Sequence, residues 1–266
     1  MRKPKWLIAK PTLEPSDREY IWEHRHNAGY NKVYSMTDDA ALRGRIVREL
    51  AALPRHQKIL VPGCGSKDRL QKDIAKKVPG CKHVLCTDFP SVAAIPARKN
   101  RNRTIEYKGL DSGKLGIRKE FDAVVVVNSV ISESDLENRK ILAACFQALK
   151  PGGYLMGFFP TIFCSVDFAI TSKSAQWRRY VKKRVDLDTF SEGIKGKWDT
   201  QIFYSPLLLD HILRETGFVR RKLEIYFLDT AYFLKEGRSV YGITDPDLRA
   251  YELFVTAQRP GVARRA

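Results

Sequence analysis

Between Lys58 and Phe159 the chain alternates short apolar runs with longer stretches whose apolar residues recur at helical spacing. Ile59-Leu60-Val61, Val84-Leu85-Cys86 and Val124-Val125-Val126-Val127 are continuous runs bounded by Gly, Pro, Asp or Asn. Short bounded runs of this kind predict strands, here at 58–62, 84–88, 104–108, 122–127 and 153–159. Helices are expected between them, near 67–77, 91–99 and 135–149. In the last of these Leu136, Ile141, Leu142, Cys145, Phe146 and Leu149 supply the apolar face, and Pro151-Gly152-Gly153 predicts a turn into the fifth strand. Upstream, Leu42, Ile46, Val47 and Leu50 form one stripe of a helix from Ala40 to Leu53 that Pro54 stops. Downstream, Ser205 to Gly217 reads as a helix with serine at its cap, proline in its first turn and glycine at its end. Val219–Leu228 and Tyr251–Gln258 complete the strands. Strands alternating with helices in this way predict a doubly wound α/β fold with a mostly parallel sheet.

Two of the strands end in groups suited to a nucleoside. The first runs into Gly63-Cys64-Gly65 and the second into Asp88. A strand, glycine turn and helix present backbone N–H groups to one end of a nucleoside cofactor, and an acid at the next strand tip faces the ribose hydroxyls. A dinucleotide fingerprint needs a third glycine three residues after the second; that position is Asp68, whose charge at a helix start repels a pyrophosphate. A nucleoside without phosphates, ending in a sulfonium and an amino acid, meets no such obstacle. The expected cofactor is therefore S-adenosyl-L-methionine (SAM), with S-adenosyl-L-homocysteine (SAH) as product. Cys64 invites a reading as a nucleophile, but the loop needs small residues, so packing accounts for it.

From Ile46 to Gln258 the chain resembles the class I SAM-dependent methyltransferases, with five elements in order. Val61-Pro62-Gly63-Cys64-Gly65-Ser66 is similar to the family's E/D/V-x-G-x-G-x, and Asp88 to its second-strand acid. Thr104 to Asp111 looks like the third strand, ending in the acid that faces the adenine amino group in the family. Phe121 to Ser129 looks like the strand whose tip lies under the methionine part, and Leu149 to Phe159 like the turn into strand five. The resemblance implies a Rossmann-like, seven-stranded sheet with an antiparallel last strand, its final hairpin at one edge. It implies cofactor contacts from Gly63, Cys64, Gly65, Asp88, Phe89, Leu110, Asp111, Asn128 and Ser129. It further implies an N-terminal lid over residues 1–43, a methyltransferase domain over 44–260 with an acceptor-wall insertion at about 165–200, and a disordered tail at 261–266.

Composition fits one domain: 266 residues at 44% hydrophobic can bury a substantial core. The five cysteines, at 64, 81, 86, 145 and 164, form no C-x-x-C pair and read as reduced thiols of a cytoplasmic protein. Met1-Arg2-Lys3-Pro4-Lys5 is followed by no apolar core, and no run approaches a membrane span, so neither a signal peptide nor a membrane partner is expected. The net charge of +17 changes the picture, because it speaks about partners. One basic group (Arg98, Lys99, Arg101, Arg103, Lys108, Lys114, Arg118, Lys119) flanks the third strand. A second, Trp177-Arg-Arg-Tyr-Val-Lys-Lys-Arg184, falls in the expected acceptor wall. It reads either as a grip for phosphates with aromatics for a base, or as an amphipathic helix packed by its aromatic stripe.

Methyl transfer from a sulfonium is an in-line displacement that depends mostly on alignment and exclusion of water. A base is needed only when the acceptor must lose a proton. Candidates are His24, His26, Glu133 and His211, with Tyr30, Tyr34 and Tyr204 shaping the acceptor pocket; Tyr30, Tyr34, His26 and Glu133 are the catalytic set carried forward. His56 and His83 precede strands and look structural. After the fourth strand the chain reads Asn128-Ser129-Val130-Ile131, without the [DNS]-P-P-[YFW] of DNA amino-methylating enzymes, and the Pro-Cys pair of pyrimidine-C5 enzymes is absent too. No metal is expected, since the histidines and acids form no ligand cluster. Two acceptors stay open. One is a small molecule, a metabolite or natural-product intermediate carrying negative charge. The other is RNA, through a similarity to cap guanine-N7 enzymes at Val84–Asp88, Glu133-Ser134, Pro151–Gly157 and Tyr30-Asn31-Lys32. The chain departs from those enzymes at Ser129-Val-Ile-Ser132, where they carry an aromatic residue and a histidine.

Overall fold

The apolar runs become Lys58–Pro62 (β1), His83–Asp88 (β2), Ile105–Gly109 (β3), Phe121–Val127 (β4) and Leu149–Pro160 (β5), all parallel. The computed structural model describes residues 35–53, 58–132, 135–161, 163–164, 167, 189–194, 197–229, 231 and 249–261. Thr189–Ile194 (β6) and Lys197–Ile202 (β7) pair with each other as a separate antiparallel ribbon. Val219–Phe227 (β8) and Tyr251–Gln258 (β9) finish the main sheet, whose order is β3-β2-β1-β4-β5-β9-β8. β9 is antiparallel to both neighbours, so the sheet is the seven-stranded, mostly parallel one expected.

Helices Ala40–Ala51 (α1), Arg69–Lys77 (α2), Pro90–Ala97 (α3), Asp135–Ala148 (α4) and Pro206–Glu215 (α5) cover the sheet. Strand alternation divides the core between the two faces. Ile59, Val61, Val125, Met156, Phe158 and Phe254 pack with Leu42, Ile46 and Leu50 of α1 and Leu70 and Ile74 of α2. Leu60, Val124, Val126, Leu155 and Val255 pack with Leu142 and Cys145 of α4 and Leu209, Ile212 and Leu213 of α5. Side-chain caps set the helix starts. Asp39 accepts from Ala41 N at 2.8 Å and Leu42 N at 3.0 Å, and its second oxygen accepts from Asp229 N at 3.0 Å. Ser205 Oγ accepts from Leu208 N at 3.1 Å, with Pro206 opening α5.

Two local expectations are corrected. Pro151-Gly152-Gly153 is no turn before a strand. β5 starts at Leu149 and bulges through it, shifting register between Phe121 and Ala123. Gly152 supplies a φ of +81° there and donates its N–H to Arg259 O at 2.9 Å, so the strand absorbs the kink without ending. Leu136, expected on the buried face of α4, is 63% exposed because at 100° per residue it stands across the helix from Cys145, whereas Asn138 in the same first turn is buried. Most of residues 1–43, most of the 165–200 insertion and nearly all of the 261–266 tail lie outside the described residues. Among the described residues no helix is long and apolar enough to cross a membrane.

Candidate functional site

The carboxyl ends of β1, β2 and β4 meet at one edge of the sheet. β1 leaves the sheet through Gly63 and Gly65, both left-handed at φ +63° and +66°. An added Cβ at Gly63 would stand 2.4 Å from Ser129 Cβ, so the loop passes against the β4 tip with no room for a side chain. The turn is pinned from two sides. Cys64 N donates to Thr87 O at 3.0 Å, and Gln71 Nε2 of α2 donates to Cys64 O at 3.2 Å.

Asp88 closes the loop. Its Oδ2 accepts from Gly65 N and its Oδ1 from Phe89 N, at 2.8 and 2.9 Å, and its own carbonyl accepts from Leu110 N at 2.8 Å. Burial pushes the Asp88 carboxyl up to about 6, against the pull of the two N–H groups. Each oxygen keeps lone pairs beyond the one N–H it accepts here. Asp111 sits after β3, where its side chain accepts from Gly113 N at 2.8 Å and caps a short 3-10 turn, Ser112–Lys114. The Cys64 thiol hydrogen-bonds Cys86 and is buried; both push its pKa up, which suits packing and not nucleophilic attack.

At the β4 tip Asn128 adopts φ +46°, a conformation asparagine tolerates better than most residues. The segment it begins is fixed at three points: Asn128 N donates to Phe158 O at 3.0 Å, Tyr204 OH to Val130 O at 2.8 Å, and Ser132 N to Asn138 Oδ1 at 2.8 Å. Within this fixed segment Asn128 Oδ1 and Ser129 Oγ are buried with no hydrogen-bond partner.

Gly63, Cys64, Gly65, Asp88, Phe89, Leu110, Asp111, Asn128 and Ser129 thus come together along the tips of β1 to β4. Unfilled polar oxygens at the β4 tip, a loop whose Gly63 position excludes any Cβ and a partly free carboxylate at β2 fit an adenosyl group with an amino-acid tail. Tyr30, Tyr34, His26 and Glu133, like His24, His56 and the 177–184 cluster, lie outside the described residues. His211 stands on the exposed side of α5 beside Glu215, and His83 pairs with Glu106 at the start of β2. Tyr204 is fully buried, stacks edge-on against Phe159 and donates its hydroxyl to Val130 O.

One residue escaped the pattern. Glu252 on β9 is buried at the same sheet edge and accepts from Asn128 Nδ2 at 3.3 Å. The available signal was a single acid inside the apolar strand Tyr251-Glu-Leu-Phe-Val255, on the same side as Phe254.

Residues 60–157, from β1 into β5, match a family model described as a methyltransferase domain. No curated protein matches the chain. Among solved structures it is similar to a SAM-dependent methyltransferase from Methanosarcina mazei, at 18% identity and a TM-score of 0.61, over 81% of this chain and 97% of that one. It is similar to the Burkholderia thailandensis 1,6-didemethyltoxoflavin-N1-methyltransferase, solved with 1,6-didemethyltoxoflavin and SAH, at 14% identity and a TM-score of 0.61, over 95% and 93% of the two chains. The N-methyltransferase NodS of Bradyrhizobium japonicum, in complex with SAH, shares 15% identity and a TM-score of 0.54 over 88% and 97%. The domain match from β1 into β5 and the seven-stranded, mostly parallel fold are what this chain has in common with these SAM-dependent methyltransferases.

Proposed function

We propose that the chain transfers the methyl group of SAM to a small-molecule acceptor, a metabolite or natural-product intermediate. When bound, SAM supplies a methyl group activated by its sulfonium. The Gly63–Gly65 backbone and the Asp88 carboxylate hold the nucleoside, with Asp88 accepting from the ribose hydroxyls through its remaining lone pairs. Phe89, Leu110 and Asp111 border the base, and Asn128 and Ser129 the amino-acid end. Tyr30, Tyr34, His26 and Glu133 are the candidates for enclosing the acceptor.

The observation that carries the small-molecule reading is where the described charge lies. Arg98, Lys99, Arg101, Arg103, Lys108, Lys114, Arg118 and Lys119 are all exposed, and they flank β3, the edge strand farthest from β8. Beyond the β4 tip, toward β5 and β9, the described groups are buried aromatics and an acid: Phe158, Phe159, Tyr204, Phe254 and Glu252. A polyanion held by that basic group would lie along the adenosine side of the site. A negative charge on the acceptor itself belongs away from Glu252. Two of the similar structures are of N-methyltransferases, one of them with its small substrate bound.

The test is methyl transfer from radiolabelled SAM into a whole-cell extract, fractionated afterwards into RNA, protein and small molecules. Label is expected in the small-molecule fraction. Label in nuclease-sensitive material would replace this reading with the RNA one, for which the net charge of +17 speaks.

A further inference from the structure

β9 runs antiparallel to β5, so its first residues lie beside the last residues of β5, with Glu252 opposite Pro160. Glu252 is only 6% exposed and shares its face of the sheet with Phe158 and Phe254. Its Oε1 takes the Asn128 amide, while its Oε2 has no hydrogen-bond partner. Two more buried oxygens at the same strand tips, Asn128 Oδ1 and Ser129 Oγ, are also without one. Buried polar atoms are nearly always paired, so three orphans at one edge of the sheet mark a place where a ligand completes the bonding. An amide oxygen only accepts, and so does an ionised carboxylate. The Ser129 hydroxyl can accept as well as donate, so a donating ligand group satisfies all three once Glu252 is ionised.

We propose that Glu252 and Asn128 receive the N–H of a nitrogen acceptor, making this an N-methyltransferase with Glu252 as its proton-accepting catalytic residue. The proposal rests on the SAM-dependent reading above and names its acceptor class, an amine or an N–H heterocycle. In the reaction the nitrogen lone pair forms the new N–C bond to the methyl carbon. The C–S bond breaks with its electron pair going to sulfur, which becomes the neutral thioether. The proton of the acceptor nitrogen passes to Glu252 Oε2, so the positive charge of the sulfonium leaves the site as a proton that neutralises the carboxylate.

The surroundings of Glu252 suit this task. Burial pushes its carboxyl up to about 8, with the Asn128 hydrogen bond working the other way. The Cys164 thiol, which accepts from Tyr251 N, is its ionisable neighbour and is itself pushed up, mainly by burial. Arg45 approaches the same face over the Phe254 ring but is committed to Glu49 and Glu224. A cationic or N–H-bearing ligand is thus the natural partner, and its arrival favours the ionised carboxylate.

SAM itself offers a second N–H source, the ammonium group of its amino-acid part, and two probes separate the sources. SAH carries that ammonium but no methyl. Sinefungin carries it too, and also bears an amine where the methyl stands. Calorimetric titration of both ligands into the native chain and Glu252→Gln is the experiment. Glu252→Gln is expected to leave SAH affinity unchanged and to weaken sinefungin by about 10- to 100-fold, the loss of one charge-assisted hydrogen bond. Equal losses for both ligands would put the free oxygens on the amino-acid ammonium and overturn the proposal, as would no loss for either. A native chain that binds neither would instead bring down the SAM reading beneath it. If Glu252→Gln melts too low to titrate, Glu252→Met makes the same comparison, since it keeps a side chain of similar length in the buried position while removing the carboxyl.

Discussion

Gly63 and Asp88 show how single residues shape the candidate cofactor site. Gly63→Ala would combine a left-handed backbone with a Cβ 2.4 Å from Ser129 Cβ. It should destabilise the chain by about 2–5 kcal/mol, seen as a lower denaturation midpoint with unchanged slope. An unchanged midpoint would mean the loop has slack that the packing denies. Asp88 accepts more strongly from ribose hydroxyls when ionised, and burial sets its carboxyl at about 6. SAH affinity should therefore rise as pH climbs through that value, and Asp88→Asn should lose the dependence. Flat affinity in the native chain from about pH 5 to 7.5 would contradict this account. Gly63, Gly65 and Asp88 were legible in the sequence because a tight turn and a strand-tip acid are local requirements. Glu252 was not, because its burial comes from pairing with β5, almost a hundred positions earlier in the chain. Read alone, Tyr251-Glu-Leu-Phe-Val255 is an apolar strand with one acid, and nothing local says that the acid's side is covered.

At the scale of elements, the five parallel strands and the five helices named among the described residues could be read from the chain because continuous apolar runs and helical stripes encode burial directly. What failed was punctuation. Pro151-Gly152-Gly153 has turn chemistry, yet Gly152 at φ +81° lets β5 bulge and continue. The β6–β7 ribbon was also hidden, since two short strands that pair only with each other leave no long apolar run. The Tyr204–Ser205 junction joins two elements to the site. Ser205→Ala should cost about 1 kcal/mol through the lost cap of α5, without touching SAH binding. Tyr204→Phe leaves Val130 O buried without its donor and should cost about 1–3 kcal/mol. Because Val130 follows the Asn128–Ser129 tip, that change should weaken SAH binding as well. Thermal melts and titrations on the pair distinguish a cap from a brace, and equal effects on binding would contradict the assignment.

For the whole molecule, the two raised carboxyls set an unusual pH response. Glu252 moves from 4.5 up to about 8 and Asp88 from 3.8 up to about 6 in the folded chain. A raised carboxyl means the folded state holds a proton the unfolded state has lost, so stability falls as pH rises between the unfolded and folded values. The ligand-free protein should melt at lower temperature near pH 8 than near pH 5, and Glu252→Gln should flatten that slope. A melting temperature that rises over this range would contradict the buried state of Glu252. Acid acts through other groups. Burial works to raise Glu49, Asp73 and Glu106, but Lys222 and Arg45, Lys77 and Arg43, and Lys108 and His83 outweigh it and hold these carboxyls low. Their contribution is present above the ordinary carboxylate range and is lost as pH falls below it. The central claim remains that SAM binds where the tips of β1, β2 and β4 meet. Calorimetric titration of SAH into the native chain and Asp88→Ala tests it most directly. The native chain should bind SAH, and Asp88→Ala should bind it about 5- to 150-fold more weakly, the loss of about 1–3 kcal/mol for stranded ribose hydroxyls. No binding to the native chain, or equal binding to both, would contradict the account.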